Sequence, residues 1–301
     1  MQPGAEEVPG LFFTDKREVK MRIFTTVEEM QNYALKERRA GKTIAAVPTM
    51  GFLHAGHMSL LDIARQKADI LVVTIFVNPT QFGPNEDLDK YPRDFENDCR
   101  LCEGHGVDVI FAPTPEAMYA PDRSIWVDEE KLSKKLCGKT RPIHFRGVCT
   151  VVAKLFNITQ CNVAVFGRKD AQQALIIRRM VRDLNFPIEI IVAPLVRAAD
   201  RLALSSRNRY LSEDEHRRAL VLSRSLAQAE EAIRKNGIAT AAAEAEKIAQ
   251  AITAEGGVVD YVTALDGDSL EELNEKSRSL LLALAAYFGN TRLIDNIYLE
   301  F

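Results

Sequence analysis

The feature that most restricts the fold is an alternation of short apolar runs with longer amphipathic segments in the first two thirds of the chain. Short runs rich in Val and Ile predict buried strands, and the periodic segments between them predict helices. The predicted strands are 43–49, 70–77, 107–111, 163–166 and 188–192, and the predicted helices are 26–40, 58–67, 94–103, 147–157 and 171–185. This alternation is typical of a parallel sheet covered by helices. The sequence therefore predicts an α/β domain that ends near residue 195.

The last third of the chain has a different pattern. Ser212 is predicted to cap a helix over 213–235, and an alanine-rich helix follows to about residue 255, where two glycines end it. Three extended runs come next, at 258–264, 280–288 and 291–299. We interpret residues 196–301 as a smaller α+β domain, residues 21–195 as the larger domain, and residues 1–20 as a flexible extension.

Charge and composition exclude several classes of function. The 301 residues include 39 Lys and Arg against 42 Asp and Glu, so the net charge of −3 gives no global positive field for a nucleic acid or an anionic membrane. The longest apolar run, 280–288, has about half of the ~20 residues that a membrane crossing needs. Glu6 and Glu7 stand where a secretory signal needs positive charge, and 5 cysteines, an odd number, fit a reducing compartment. We therefore expect a cytoplasmic protein that binds neither nucleic acid nor membranes.

The segment 47–57 carries the clearest chemical signal. It runs from the end of a predicted strand through a turn into the start of a helix, and it places His54 and His57 three residues apart. That spacing puts both imidazoles on one helix face, beside first-turn N–H groups that attract phosphate, and Gly56 lets a nucleotide approach the backbone. Two alternatives stay open: surface or capping histidines, and a zinc site, although no further ligands lie nearby in the sequence.

Four other segments place polar groups at turns. The amides of 78–82 follow a buried strand, at the edge where open α/β sheets bind ligands. Segments 166–173 and 204–208 contain Lys169 and Arg207, whose charges suit a triphosphate, and 141–145 contains an arginine and a histidine. Taken singly, each of these segments could equally be an ordinary turn or a solvated charged loop.

Together these segments resemble the pantothenate synthetase family, within the His-x-Gly-His nucleotidylyltransferase superfamily. The resemblance covers about residues 23–299 and rests on five motifs in family order, at 48–57, 76–82, 144–148, 169–173 and 204–208. It implies a Rossmann-like N-terminal domain, a smaller C-terminal lid, dependence on Mg²⁺ and a cytoplasmic homodimer. It also implies that ATP activates pantoate as pantoyl adenylate with release of pyrophosphate, after which β-alanine displaces AMP to form pantothenate.

The resemblance assigns roles residue by residue. His57 would be the proton donor, and His54, Lys169 and Arg207 would complete the catalytic set. The expected ATP site comprises Met50, Gly51, Phe52, Leu53, His54, Ala55, Gly56, His57, Gly167, Arg168, Lys169, Asp170, Val196, Leu204, Ser205, Ser206 and Arg207. Pantoate would be held by Gln81, Gln173, Asn78 and Arg141, with Gln81 also near β-alanine, and Asp98 would contact Mg²⁺.

Two positions depart from the family pattern. Arg168 stands where relatives usually have Glu or Gln, and Arg201 stands where they usually have glycine. Both add positive charge near the expected triphosphate, where they could tighten ATP binding or hinder closure. Two other functions stay open: a nucleotidylyltransferase that acts on a phosphorylated acceptor, and a silent nucleotide-binding protein.

Overall fold

A computed structural model describes residues 21–84 and 86–301, so the extension expected at residues 1–20 lies outside the described residues. Six strands form the larger sheet: β1 (Arg22–Phe24), β2 (Ile44–Thr49), β3 (Ile70–Ile75), β4 (Val109–Phe111), β5 (Val163–Gly167) and β6 (Glu189–Ala193). Their order in the sheet is β1-β4-β3-β2-β5-β6, and every neighbouring pair is parallel. The order reverses between β2 and β5, which makes their carboxyl ends the switch point where doubly wound sheets bind ligands.

Helices cover both faces of this sheet. They are α1 (Val27–Arg39), α2 (Ala55–Arg65), α3 (Phe95–Gly104), α4 (Pro115–Met118), α5 (Cys137–Thr140), α6 (His144–Thr159) and α7 (Ala171–Asp183). Strand β2 shows the division, because successive side chains of a strand point to opposite faces. Ala46 packs in one apolar cluster with α1 and α6, whereas Ala45 and Val47 pack in another with α2. Burial on both faces explains why the central strands are apolar throughout.

The C-terminal part forms a second core. Two helices, α8 (Glu213–Asn236) and α9 (Ala241–Ala254), precede a three-stranded antiparallel sheet of β7 (Val258–Asp266), β8 (Ser279–Phe288) and β9 (Thr291–Glu300). Apolar side chains of both helices and of β8 and β9 pack together in one cluster. None of the helices within residues 21–84 and 86–301 has the length and apolar character that crossing a membrane requires.

The fold class predicted from the sequence is confirmed, with shifts at the element ends. Helix α2 begins at Ala55 instead of residue 58, and α6 begins at His144 instead of 147. Both shifts bring a histidine of the sequence motifs to a helix start: His54 is the N-cap of α2, and His144 is the first residue of α6. Strand β1 was not predicted, because its three residues are too few and too exposed for an apolar pattern. The domain boundary at residues 195 and 196 stays a prediction.

Candidate active site

One cleft lies over the switch point of the larger sheet and reaches the segment that leads into the C-terminal part. Its volume is about 220 Å³, and it adjoins a second cavity of about 320 Å³ between the larger sheet and the C-terminal sheet. Most of the predicted site residues line the cleft: Met50, His54, Gly56, His57, Asn78, Gln81, Arg141, Gly167, Lys169, Asp170, Gln173, Val196, Leu204, Ser205, Ser206 and Arg207. Segments separated by more than a hundred residues therefore meet at one place.

The two histidines form the start of α2. His54 is the N-cap, and its Nδ1 accepts a hydrogen bond from Gly56 N at 3.1 Å, while Nδ1 of His57 accepts from His54 N at 3.2 Å. Their rings lie 4.1 Å apart between centroids. Because each Nδ1 accepts, each neutral ring carries its proton on Nε2. Both histidines therefore hold an Nε2–H donor, which suits phosphate oxygens.

Burial keeps these imidazoles uncharged. Burial, together with the charge of Lys169, lowers the pKa of His54 to about 4. Burial, together with His54 and then Lys169, lowers the pKa of His57 to about 3. Without ligand, both rings are thus neutral hydrogen-bond donors at pH 7. The negative charge of a bound phosphate would favour the protonated form and raise both pKa values.

Asp98 holds the turn that leads to these histidines. The carboxylate is 1% exposed, and its oxygens accept hydrogen bonds from Phe52 N at 2.9 Å and Leu53 N at 2.7 Å. The turn needs this support because Gly51 and Phe52 have φ of 80° and 52°, a left-handed conformation that is unfavourable for phenylalanine. The structure thus gives Asp98 a different task from the predicted contact with magnesium, which stays a prediction that this geometry does not favour.

Gln81 lies at the other side of the cleft, in the 3-10 turn Pro79–Gln81 after β3. Asn78 orients it: the Asn78 amide donates to Gln81 Oε1 at 3.1 Å and to Gly147 O at 3.2 Å, and its own oxygen accepts from Tyr119 at 2.8 Å. Asn78 is 1% exposed and has no donor left for a ligand. Its amide therefore fixes the position of Gln81, and its predicted contact with pantoate stays a prediction.

The adjacent residues Gln172 and Gln173 have different surroundings in the structure. Gln172 is buried and holds the segment before α5, accepting from Cys137 N at 3.0 Å and donating to Lys135 O at 2.6 Å. Gln173 lines both cavities, and its side chain makes no hydrogen bond to the residues that the structure describes. It is thus the glutamine of this pair whose side chain lines both cavities.

Two arginines at the cleft are paired with carboxylates of the loop after Gln81. Arg141 contacts Glu86 at 2.9 and 2.5 Å, and Arg207 contacts Asp87 twice at 2.8 Å. Burial opposes the charge of Asp87, but the Arg207 guanidinium lowers the pKa of that carboxyl overall. Arg207 donates one N–H from Nε and one from Nη2 to Asp87, which leaves both N–H groups of Nη1 and one of Nη2 for other partners.

His144 is a site residue that the sequence analysis passed over as a weak signal. It is 8% exposed, with Nδ1 3.0 Å from Gln81 O and Nε2 3.3 Å from Arg141 Nη1. These contacts fit a neutral ring that donates from Nδ1 and accepts at Nε2. Burial, together with the charge of Arg141, lowers the pKa of His144 to about 4. His144 thus joins the Gln81 turn to Arg141. The signal for this contact in the sequence was the histidine that begins the motif at residues 144–148.

Comparison with known proteins identifies the chain. The family model described as pantoate-beta-alanine ligase matches residues 22–298.

The chain belongs to the pantoate-β-alanine ligase family.

Relatives agree over almost the full length. The chain is 48% identical over 285 residues to pantothenate synthetase of Acetivibrio thermocellus and 52% identical over 280 residues to that of Thermotoga petrophila, covering 93% of this chain and 100% of each relative. The solved pantothenate synthetase of Thermus thermophilus is 42% identical, with a TM-score of 0.86 over 92% of this chain and 99% of that one. The chain is therefore a ligase that joins pantoate to β-alanine.

A further solved relative carries ligands. It is the pantoate-β-alanine ligase of Francisella tularensis, described as complexed with beta-gamma ATP and β-alanine. It is 32% identical, with a TM-score of 0.75 over 92% of this chain and 97% of that one. ATP and β-alanine are also the ligands that the sequence analysis predicted for the present chain.

The two departures from the pantoate-β-alanine ligase pattern lie away from the cleft. Arg168 does not line either cavity; its guanidinium lies 4.6 Å from the ring centroid of Tyr298 on β9. Arg201 is exposed in a turn with φ of 76°, which explains why glycine is usual there. These two side chains therefore do not add positive charge to the lining of the cleft, contrary to the prediction.

Four further residues of the predicted ATP site also lie outside the lining of the cleft. They are Gly51, Phe52, Leu53 and Ala55, which form the turn and the first residue of α2.

Proposed function

We propose that the chain condenses pantoate with β-alanine in two steps driven by ATP. A carboxylate oxygen of pantoate attacks the α-phosphorus of ATP, and pyrophosphate leaves with the electrons of the broken P–O bond. The amine nitrogen of β-alanine then attacks the acyl carbon of pantoyl adenylate, loses a proton and expels AMP. The observation that carries the proposal is the meeting of histidine and lysine donors with the side-chain amides of Gln81 and Gln173 in one cleft.

The phosphate side of the cleft would neutralise charge. Nε2–H of His54 and His57 and the ammonium of Lys169 would donate to phosphate oxygens, with Arg207 Nη1 as a further donor. Lys169 lies 3.2 Å from Asp170, so it is held near the glycine at the end of β5. Once phosphate charge raises its pKa, His57 can also give a proton to the departing oxygen.

On the other side of the cleft, the side-chain amides of two glutamines would bind the acyl substrate. Gln81 Nε2 lies 3.1 Å from Met50 Sδ, a weak acceptor that a substrate oxygen would replace. Gln173 offers a second amide from the first turn of α7. Together they would hold pantoate beside the α-phosphate, and Gln81 would also contact β-alanine. The uncharged amides favour this acceptor over a phosphorylated one, which would require basic side chains.

Magnesium fits this site as a partner of ATP. No group of three or more His, Cys, Asp or Glu side chains that could enclose a metal occurs in the described part of the chain. Mg²⁺ suits such a site because it keeps waters and usually binds through substrate phosphates with one or two carboxylates. Asp170 is the carboxylate of the cleft that could take part, and the ion would neutralise phosphate charge.

We extend the proposal to a cytoplasmic homodimer. All five cysteines are free in the described chain, as expected in a reducing compartment. Ile125 is 81% exposed and Trp126 is 37% exposed, and Trp126 lies between Arg123 and Arg146 at 5.4 and 4.8 Å. Exposed Trp and Arg with aliphatic neighbours are typical of protein interfaces.

The decisive experiment is isotope exchange. Labelled pyrophosphate should enter ATP when the chain, Mg²⁺ and pantoate are present without β-alanine, because adenylation is reversible. Addition of β-alanine should yield pantothenate and AMP in equal amounts. If exchange required a phosphorylated acceptor instead of pantoate, the chain would be a nucleotidylyltransferase with a different substrate. If no acceptor supported exchange, the chain would bind nucleotides without catalysis. ADP as a product would contradict adenylation.

A substitution tests the division of the cleft into two sides. Gln81→Ala should raise the KM for pantoate by about tenfold or more and leave the KM for ATP within about twofold, because the lost amide would bind pantoate and β-alanine but not the phosphates. Gln250→Ala, at an exposed position of α9, is the matched control. A comparable rise in the KM for ATP would place Gln81 on the wrong side of the cleft.

A further inference from the structure

A side chain of the C-terminal sheet reaches the turn that carries Lys169. Asn296, on β9, donates from Nδ2 to Arg168 O and to Lys169 O, both at 3.0 Å. Asn296 is 6% exposed. The two acceptors belong to the 3-10 turn Arg168–Asp170 between β5 and α7. An amide distant in the sequence therefore binds the backbone of the phosphate-facing turn from the C-terminal sheet.

Asn296 is itself held in place by its neighbour. Asp295 is 2% exposed and accepts from Asn296 N at 2.7 Å, while its two oxygens receive the guanidinium of Arg197 at 2.6 and 3.0 Å. Arg197 begins the segment that continues to Ser205 and Arg207 at the cleft. Consecutive residues of β9 thus contact both segments that face the expected phosphates.

Arg168 adds a third contact of the same kind. Residues 296 and 298 share one face of β9, since side chains alternate along a strand. The Arg168 guanidinium packs over the Tyr298 ring, so its side chain and its carbonyl both meet this strand. The unusual arginine therefore strengthens the contact between the two parts of the chain.

We propose that Asn296 is a positioning residue for Lys169. Its amide binds the peptide carbonyls on either side of Lys169, so the ammonium of Lys169 reaches ATP only when the C-terminal sheet is docked on the turn. The inference rests on the proposed role of Lys169 at the phosphates. Asparagine is the residue that suits this position, because an aspartate would place a carboxylate oxygen against two carbonyl oxygens.

A double-mutant cycle tests this coupling. Asn296→Asp should raise the KM for ATP by about tenfold or more, with the KM for pantoate within about twofold and pyrophosphate exchange reduced in parallel. Asn274→Asp, at an exposed site of the same domain, should match the wild type. The variant with both Asn296→Asp and Lys169→Ala should lose no more kcat/KM for ATP than Lys169→Ala alone, since a missing ammonium cannot be misplaced.

The outcomes separate this inference from the proposed function. Losses that multiply in the double variant, or an unchanged KM for ATP in Asn296→Asp, would overturn the positioning role. Full activity of Lys169→Ala would instead overturn the assignment of Lys169 to ATP, and the inference with it. Should Asn296→Asp fail to fold, Asn296→Ser, which keeps a single short donor, enters the same cycle with the same criteria.

Discussion

Burial decides the protonation of three histidines at the scale of single residues. An unfolded histidine takes up a proton as the pH falls below about 6.5, whereas folded His144 resists protonation until about pH 4. Acid therefore favours the unfolded chain, and stability falls from about pH 6.5 towards the folded pKa. His54 and His57, with pKa values of about 4 and 3, act in the same direction.

We predict that His144→Gln weakens this pH dependence. Between pH 7 and pH 5 the wild type should lose unfolding free energy, with His144 contributing about 1–2 kcal/mol. Urea denaturation at both pH values gives the difference for each variant, so any constant effect of the substitution cancels. Gln250→Ala, at an exposed position of α9 that carries no titratable side chain, should keep the wild-type difference. An undiminished pH dependence in His144→Gln would show that this ring titrates normally.

Arg201 carries a backbone cost that glycine removes. Its φ of 76° disfavours any residue with a Cβ, and its side chain is exposed and outside the cleft. Arg201→Gly should raise the free energy of unfolding by about 0.5–1 kcal/mol with unchanged kcat/KM for ATP. Arg201→Ala removes the charge but keeps the Cβ, so it should not stabilise. Equal stabilisation by both, measured by urea denaturation, would point to charge instead of conformation.

At the scale of elements, α3 supports the start of α2. Asp98→Asn replaces one carboxylate oxygen by an amide donor that faces a backbone N–H, so the turn at Phe52 and Leu53 loses a hydrogen bond. We expect kcat/KM for ATP to fall about 10- to 100-fold. Asp94→Asn, at the N-cap of the same helix, is the control because asparagine caps equally well. Recovery of the Asp98→Asn variant in excess Mg²⁺ would favour the metal role.

Close packing of α6 against the Pro79–Gln81 turn sets the position of Gln81, for which we propose pantoate binding. A Cβ on Gly147 would lie 2.4 Å from Thr80 O and 2.7 Å from Gln81 Cα, so the backbones would have to separate. Gly147→Ala should destabilise the fold by about 1–3 kcal/mol and raise the KM for pantoate. Gly104→Ala meets nothing within 4 Å near the end of α3 and should do neither. A normal KM in Gly147→Ala would show that the turn tolerates the shift.

At the scale of the whole molecule, the exposed segment around Trp126 predicts how copies of the chain associate. Ile125→Lys should convert a dimer to a monomer in light scattering after gel filtration, because a charge would be buried without a partner. Leu184→Lys, at an apolar residue that is 52% exposed and does not belong to the segment around Trp126, should stay dimeric. A monomeric wild type would end the homodimer proposal, and a dimeric Ile125→Lys would place the interface elsewhere.

The features of this protein that depend on local spacing could be predicted before the fold was known. Strand and helix periods predicted the α/β class, and the segment at residues 47–57 predicted two histidines on one helix face at a strand end. The resemblance to the family rested on such contiguous motifs, and the structure brought most of their residues into one cleft. Local patterns suffice there because a helix start and a strand end are made by neighbouring residues.

The partners of individual side chains could be identified only from the packing of the elements. Asp98 binds the turn before α2, Asn78 orients Gln81, and Arg168 turns to Tyr298 instead of the cleft. The two side chains or segments in each contact are held by different elements of the fold. The distance between them depends on how helices and sheets pack, and the local spacing of residues does not encode that packing. The neutral state of the histidines has the same origin, because burial is a property of everything packed around a ring and not of its place in the chain.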